Sequence, residues 1–246
     1  MGSLNNKVAF VTGGSRGIGQ GIVRKLASNG AGVAFTYNNS EEVANQLAEE
    51  LSTAQTKVIA IKADNADPDS IASAIKKAYE NFGQLDILVN NAGIAVLAPL
   101  PDITLDDFDR TISVNVKGVF VAMQTGAKFM REGGRIINIG STAADKNGFP
   151  GTSIYAMSKA AVAALTRGVA RDLGPLGITV NNIQPGPIAT DMNPEDSEFA
   201  NVLKSTMALG HYGTTSDIAE LVAFLASPAS KFITGTSINI DGGLSS

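Results

Sequence analysis

The sequence predicts one doubly wound α/β domain over residues 1–246, a seven-stranded parallel sheet with helices on both faces. Three observations predict it: seven short apolar runs, helical stretches alternating with them, and a glycine-rich loop directly after the first run. The runs are nearly continuous in apolar character. That is the pattern of strands buried on both faces, whereas a half-exposed strand alternates.

The strand candidates are residues 8–11, 32–36, 58–61, 85–89, 135–139, 178–183 and 237–240. A helix is expected over 19–28, where Ile22, Val23 and Leu26 share a face and Asn29-Gly30 ends the run. Ser40 before Glu41 and Glu42 reads as a second helix start, with acids at the positive end of the dipole. Asp67-Pro68-Asp69 and Ser216-Asp217 are further starts, Pro68 suiting a first helical position. The β-α order breaks only at 185–212, which is rich in Pro, Gly, Asp and Asn with one short helix near 199–207. Following directly on a strand's C-terminal end, this stretch is expected to be a substrate lid at about 187–213.

Composition narrows the function. The net charge is −4 and the lysines and arginines are scattered, so no nucleic-acid partner is expected. With no cysteine, thiolate chemistry, disulfides and cysteine metal sites are excluded. Residues 1–7 lack the apolar stretch of a secretory leader, and Asn6 stands where a myristoylation pattern wants Ser or Thr. No apolar run approaches the ~20 residues of a membrane span, so a cytoplasmic protein without membrane contact is expected.

The first strand leads into Thr12-Gly13-Gly14-Ser15-Arg16-Gly17-Ile18-Gly19 and then a helix. Glycine allows a tight turn and close backbone approach, while the helix N-terminus offers free N–H groups to a pyrophosphate. After the second strand, Tyr37-Asn38-Asn39-Ser40 carries no carboxylate to bond a ribose 2′-hydroxyl. Arg16 supplies a cation, and Asn38, Asn39 and Ser40 supply hydrogen-bond donors, for a 2′-phosphate. NADP(H) is therefore preferred to NAD(H); the alternative is that Arg16 is a solvated loop charge.

Acid/base chemistry is written into Tyr155-Ala156-Met157-Ser158-Lys159, where i, i+4 spacing puts the phenol and the ammonium on one helix face. A phenol of pKa about 10 is a poor base at neutral pH. A neighbouring cation is expected to lower that value. Ser141 follows a strand at the ligand-binding edge, where its hydroxyl can hold a substrate oxygen beside Tyr155.

These motifs together resemble the short-chain dehydrogenase/reductase family over nearly the whole chain. Thr12 to Gly19 matches its T-G-x-x-x-G-x-G loop, Asn90-Asn91-Ala92-Gly93 its N-N-A-G segment, and Tyr155/Lys159 its Y-x-x-x-K pair. Asn115 and Ser141 fall where the family has its helix Asn and its Ser. The resemblance implies a Rossmann-like fold and an oxidoreductase moving a hydride between nicotinamide and a small ketone, aldehyde or alcohol. It implies that Tyr155 moves the proton, Lys159 lowers its pKa and binds the nicotinamide ribose, and Asn115 holds a water linking Lys159 to solvent. For the cofactor it implies Gly13, Ser15, Arg16, Gly17, Ile18 and Gly19 in the loop, then Asp64 and Asn65 at the adenine. Asn91, Ala92 and Gly93 would line the groove, with Pro185, Gly186, Ile188 and Thr190 toward the carboxamide. A homotetramer or dimer is implied as well.

The closest general look is to 3-oxoacyl-carrier-protein reductases and related carbonyl reductases. A carrier protein is acidic, and Lys128 and Arg131 could meet it. Leu176, however, stands where a base is expected, and Asp191, Glu195, Asp196 and Glu198 make the lid's start acidic. A small free carbonyl is preferred. His211 replaces an Arg the family usually has and, with no second His or any Cys, suggests no metal site. A reading of another class stays open, a non-catalytic NADPH-binding sensor or interaction module.

Overall fold

The structure, a computed structural model, describes residues 4–146 and 148–246. The leader reading on residues 1–7 and the myristoylation reading on Gly2 and Asn6 fall in part on residues 1–3, outside the described residues. Strands β1 (Val8–Val11), β2 (Gly32–Tyr37), β3 (Val58–Lys62), β4 (Ile87–Asn90), β5 (Arg135–Ile139), β6 (Thr179–Pro185) and β7 (Ser237–Ile240) form one sheet. Their order is β3-β2-β1-β4-β5-β6-β7, and every neighbouring pair is parallel.

The central strands are buried on both faces, and most of the side chains they bury are apolar. Ala9, Val11, Val33, Phe35 and Val89 point into a core shared with α1 (Gly17–Ser28), α2 (Glu41–Leu51) and α8 (Thr215–Ala226). Phe10, Ala34, Leu88, Ile136 and Val180 point the other way, toward α3 (Pro68–Phe82), α5 (Gly118–Ala127) and α6 (Ser153–Leu173). Burying the Val, Leu, Ile and Phe side chains among these is worth roughly 1.5–3 kcal/mol each.

The boundaries shift in ways the side chains explain. β4 begins at Ile87 because Asp86 is committed to β1, accepting from Lys7 Nζ at 2.9 Å and Val8 N at 2.8 Å. Helix α7 is Glu198–Thr206, capped by Ser197 on Ala200 N. α8 starts one residue early on a Thr214/Asp217 capping box. Helix α4 (Leu105–Ile112) does not run straight into α5; a π-helical turn, Ser113–Lys117, sits between them.

The chain reverses direction across the sheet between β1 and β4. The crevice outside their C-terminal ends is where ligands of such sheets bind. The loops carrying Gly13, Asn91 and Ser141 all open there.

Candidate active site

The glycine loop is held by hydrogen bonds from two neighbouring strands. Gly13 N donates to Thr36 Oγ1 (2.9 Å) and Gly14 N to Thr36 O (2.9 Å). Thr12 Oγ1 accepts from Asn91 N and Ala92 N, both at 3.0 Å. Asn91 Nδ2 in turn donates to Thr12 O (3.0 Å) and Gly13 O (2.9 Å). Asn91 therefore pins the loop from across the switch point.

Gly13 and Gly17 have φ of 66° and 54°, a region that favours glycine. A Cβ on Gly19 would run into the Gly13 carbonyl and the Asn91 amide. Ser15 is buried, Ile18 packs on the core, and Arg16 occupies the N-cap position of α1 without a side-chain cap. With no acid in the first turn either, that helix end is left open to an anion. Pyrophosphate fits this cradle.

Around the second strand the predicted residues are available. Arg16 is exposed and in no ion pair among the described residues. Asn38 and Asn39 are exposed, and Ser40 leads α2 without a side-chain cap. Tyr37 is buried, and its hydroxyl pKa is raised by that burial and then by the Glu41 carboxylate. Asp64 is exposed, with Oδ1 accepting from Ala66 N at 2.9 Å. Asn65 is less free than the resemblance implies: its Nδ2 donates to Val114 O at 2.7 Å, leaving only Oδ1 without a partner.

Asn115, Ser141, Tyr155 and Lys159 converge at the ends of β4 and β5. A Cβ placed on Gly93 would be 3.4 Å from both Asn115 Oδ1 and Lys159 Nζ. Lys159 is buried, and its ammonium donates to Ile139 O at 2.9 Å, two residues before Ser141. The same nitrogen is 5.7 Å from the Tyr155 ring centroid.

One expectation is corrected here. Tyr155 was expected to be pulled down by Lys159, but its pKa is raised; burial is the larger cause, and bonding to Ser141 works against it. Burial also depresses Lys159 to about 8. Two groups desolvated together each resist their charged form. The ammonium, moreover, is turned to the Ile139 carbonyl.

Asn115 also has a structural role. It lies in the π turn, fully buried, with Nδ2 donating to Ile94 O (2.9 Å) and Ser158 Oγ (3.0 Å) and Oδ1 accepting from Ile94 N (2.9 Å). Both side-chain donors are spent on protein. Ser158 Oγ donates on to Tyr155 O at 2.7 Å, so Asn115 ties the loop after β4 to the helix that carries the phenol. Thr12, Thr36 and Ser158 were missed as site builders, because no local pattern marks a hydroxyl that bonds a loop many residues away.

At the far side, Pro185 ends β6 and Gly186 N donates to Ile240 O at 3.0 Å. Ile188 is buried and bridges to Gly213, while Thr190 Cγ2 lies 3.7 Å from where a Gly17 Cβ would stand. The stretch from 187 thus starts directly over the glycine loop. Its helix α7 has a small core of its own, with Leu203, Met207 and Tyr212 packed against Phe149 and Leu244. Phe199 meets Phe149 edge to face at 5.4 Å. His211 behaves as a local loop residue, its Nδ1 2.9 Å from Tyr212 O. The described residues contain no metal-ligating cluster and no helix long and apolar enough to cross a membrane.

Comparison with known proteins agrees with this geometry. Residues 13–245 match a family model described as enoyl-(acyl carrier protein) reductase. The chain is 42% identical over 242 residues to a cyclic-di-GMP-binding biofilm dispersal mediator protein of Escherichia coli K12, covering 98% of each. A short-chain dehydrogenase/reductase from Serratia marcescens superposes with a TM-score of 0.97 at 55% identity, over 99% of this chain and 100% of that one. A short chain dehydrogenase of Burkholderia cenocepacia, in complex with NADP, superposes at 0.98 with 49% identity and the same coverage.

Proposed function

The chain belongs to the short-chain dehydrogenase/reductase family of oxidoreductases, and from that premise we propose that it is an NADP(H)-dependent carbonyl reductase. The observation that carries the proposal is the convergence of Ser141, Tyr155 and Lys159 beside a glycine cradle with an open helix end.

NADPH, when bound, supplies the hydride for carbonyl reduction. Gly13, Ser15, Gly17, Ile18 and Gly19 would hold its pyrophosphate, with Asn91, Ala92 and Gly93 along the groove. Arg16, with Tyr37, Asn38, Asn39 and Ser40, would take the 2′-phosphate, and Asp64 and Asn65 the adenine. Pro185, Gly186, Ile188 and Thr190 would face the nicotinamide end. The NADP complex of the Burkholderia relative supports this cofactor.

Tyr155 gives its hydroxyl proton to the carbonyl oxygen as the alcohol forms, and takes it back in the reverse direction. A phenol held protonated by burial is the right form for reduction. Ser141 orients the carbonyl oxygen toward it. Lys159, an ammonium of depressed pKa 5.7 Å from the Tyr155 ring, would pass a proton onward.

Residues 187–213 serve as the lid in this reading. Asp191, Glu195, Asp196 and Glu198 are all exposed there, and Leu176 is 57% exposed where a carrier protein would want a base. Both features favour a small neutral ketone or aldehyde over a carrier-bound acyl chain. Exposed Phe120 on α5, Met157 on α6 and Phe232 before the edge strand β7 support assembly as a tetramer or dimer. A cytoplasmic location completes the proposal.

The test is NADPH and NADH oxidation against a panel of ketones, aldehydes and 3-oxoacyl thioesters, with Tyr155→Phe alongside. Turnover by the wild type, abolished in Tyr155→Phe while NADPH affinity stays within about threefold, is the expected result. Preference for the thioesters would transfer the assignment to 3-oxoacyl-carrier-protein reduction. Tight NADPH binding without turnover would make the chain a sensor, and the Escherichia relative makes cyclic-di-GMP the effector to try next.

A further inference from the structure

Behind Ser141 lies a ladder of buried amides that ends on one carboxylate. Gln184, fully buried in β6, donates through Nε2 to Asp145 Oδ2 (2.6 Å) and Asn239 Oδ1 (3.1 Å). Its Oε1 accepts from Asn182 Nδ2 (3.1 Å), which also donates to Ser237 Oγ (3.0 Å). A carboxylate can only accept, so Asp145 decides which end of the Gln184 amide faces it. The amide oxygen must then face Asn182, whose nitrogen turns toward it and whose own oxygen turns away. That oxygen has no partner and lies against Gly140, where an added Cβ would be 2.6 Å from it.

Gly140 and Asp145 bracket the serine. Ser141 is the N-cap of a 3-10 turn, Thr142–Ala144, with Oγ accepting from Ala143 N at 3.2 Å. Asp145 closes the same turn, its N–H donating to Thr142 O at 3.1 Å, while Thr142 Oγ1 reaches Pro185 O at 3.3 Å. The adjacent cation, Lys146, is directed to Leu244 O at 3.0 Å and leaves Asp145 to Gln184. The proton-transfer scheme makes no use of Asp145, Gln184 or Asn182.

We infer that Asp145, acting through Gln184, is a positioning residue that holds the turn aiming the Ser141 hydroxyl at Tyr155. The inference rests on the oxidoreductase reading above for its effect on turnover, but not for its effect on the phenol.

The experiment compares Asp145→Ala and Asp145→Asn in the full chain. Asparagine keeps an oxygen to accept from Gln184; alanine removes that acceptor and leaves Gln184 Nε2 only Asn239 Oδ1. Losing one such hydrogen bond is expected to lower kcat about tenfold in Asp145→Ala, with NADPH affinity within about twofold. Tyr155 should titrate at higher pH, because the Ser141 bond that opposes its raised pKa weakens. That titration is read as the absorbance difference between each protein and the same protein carrying Tyr155→Phe. Asp145→Asn should restore both readouts.

The phenol titration needs no substrate, so it decides the matter even if no carbonyl is turned over. Should Asp145→Ala fail to fold, Gln184→Met, which fills the space without the amide, must give the same upward shift. An unchanged Tyr155 titration in the folded variant overturns the inference. So does a fall in kcat matched by an equal loss of NADPH affinity and not rescued by asparagine.

Discussion

Replacing Lys159 with methionine separates what the buried ammonium costs the fold from what it contributes to the site. Lys159 is 6% exposed, has Ile139 O as its acceptor, and is depressed by burial from 10.5 to about 8. That gap corresponds to about 3 kcal/mol of destabilisation at neutral pH, where the folded protein must hold a desolvated charge. Between pH 8 and 10.5 the unfolded chain binds a proton that the folded chain does not. Stability therefore rises with pH across that window, and below it the penalty is present in full. Methionine is close in length and uncharged, so it removes the penalty while leaving the Ile139 carbonyl unpaired, at a cost of about 1 kcal/mol. The variant should be more stable at pH 7 by about 2 kcal/mol, or about 6 °C in Tm, and inactive. Thermal unfolding of both proteins at pH 7 and pH 10 checks it, and the advantage should nearly vanish at the higher pH. A variant less stable at pH 7, or an advantage that persists unchanged at pH 10, would refute the reasoning.

Arg16→Ala should weaken NADPH by about 10- to 100-fold, the worth of a charge-assisted hydrogen bond, and NADH by about twofold at most. Fluorescence titration with the two nucleotides checks this, and an unchanged preference removes Arg16 from the 2′-phosphate site. Gly19→Ala should abolish binding of both nucleotides alike, since its Cβ would meet the Gly13 carbonyl and the Asn91 amide. Undiminished binding of either would move the pyrophosphate off this loop.

The fold was legible in the sequence because burial on both faces leaves a one-dimensional trace. Phe10 and Ala34 pack against one helix layer while Ala9, Val11 and Val33 pack against the other. Most positions in these strands are apolar, and the runs stand out. The glycine loop and the Tyr155/Lys159 spacing were legible for a similar reason, since turn geometry and helical period are local rules. Contacts between distant segments leave no such trace. Thr12 and Asn91 are 79 residues apart, and nothing around either one announces the other. The π turn at Asn115 was hidden in the same way, because one extra residue in a helical stretch leaves the apolar pattern nearly intact. The charge states were the least visible. Spacing placed an ammonium near a phenol, but only packing shows that both are desolvated and that the ammonium faces Ile139 O.

Where the chain tolerates unfavourable burial is itself an argument about function. Asn65, Asn90 and Asn182, on or just after β3, β4 and β6, each keep a buried oxygen without a partner. Lys159 adds a desolvated cation at the same end of the sheet. Each such group costs about 1–3 kcal/mol, and an apolar residue of similar volume would remove that cost. Asn90 does make one strong contact, donating to Asn138 Oδ1 at 2.8 Å, while Asn138 donates to Thr166 Oγ1 at 2.9 Å on α6. A polar thread thus crosses from the switch-point strand to the helix that carries Tyr155 and Lys159. Stability alone does not account for asparagines here. Orientation does, because a directional bond fixes the angle of α6 against β4 and β5, which an apolar contact leaves free to slide. In the proposed reaction the Tyr155 phenol depends on that angle.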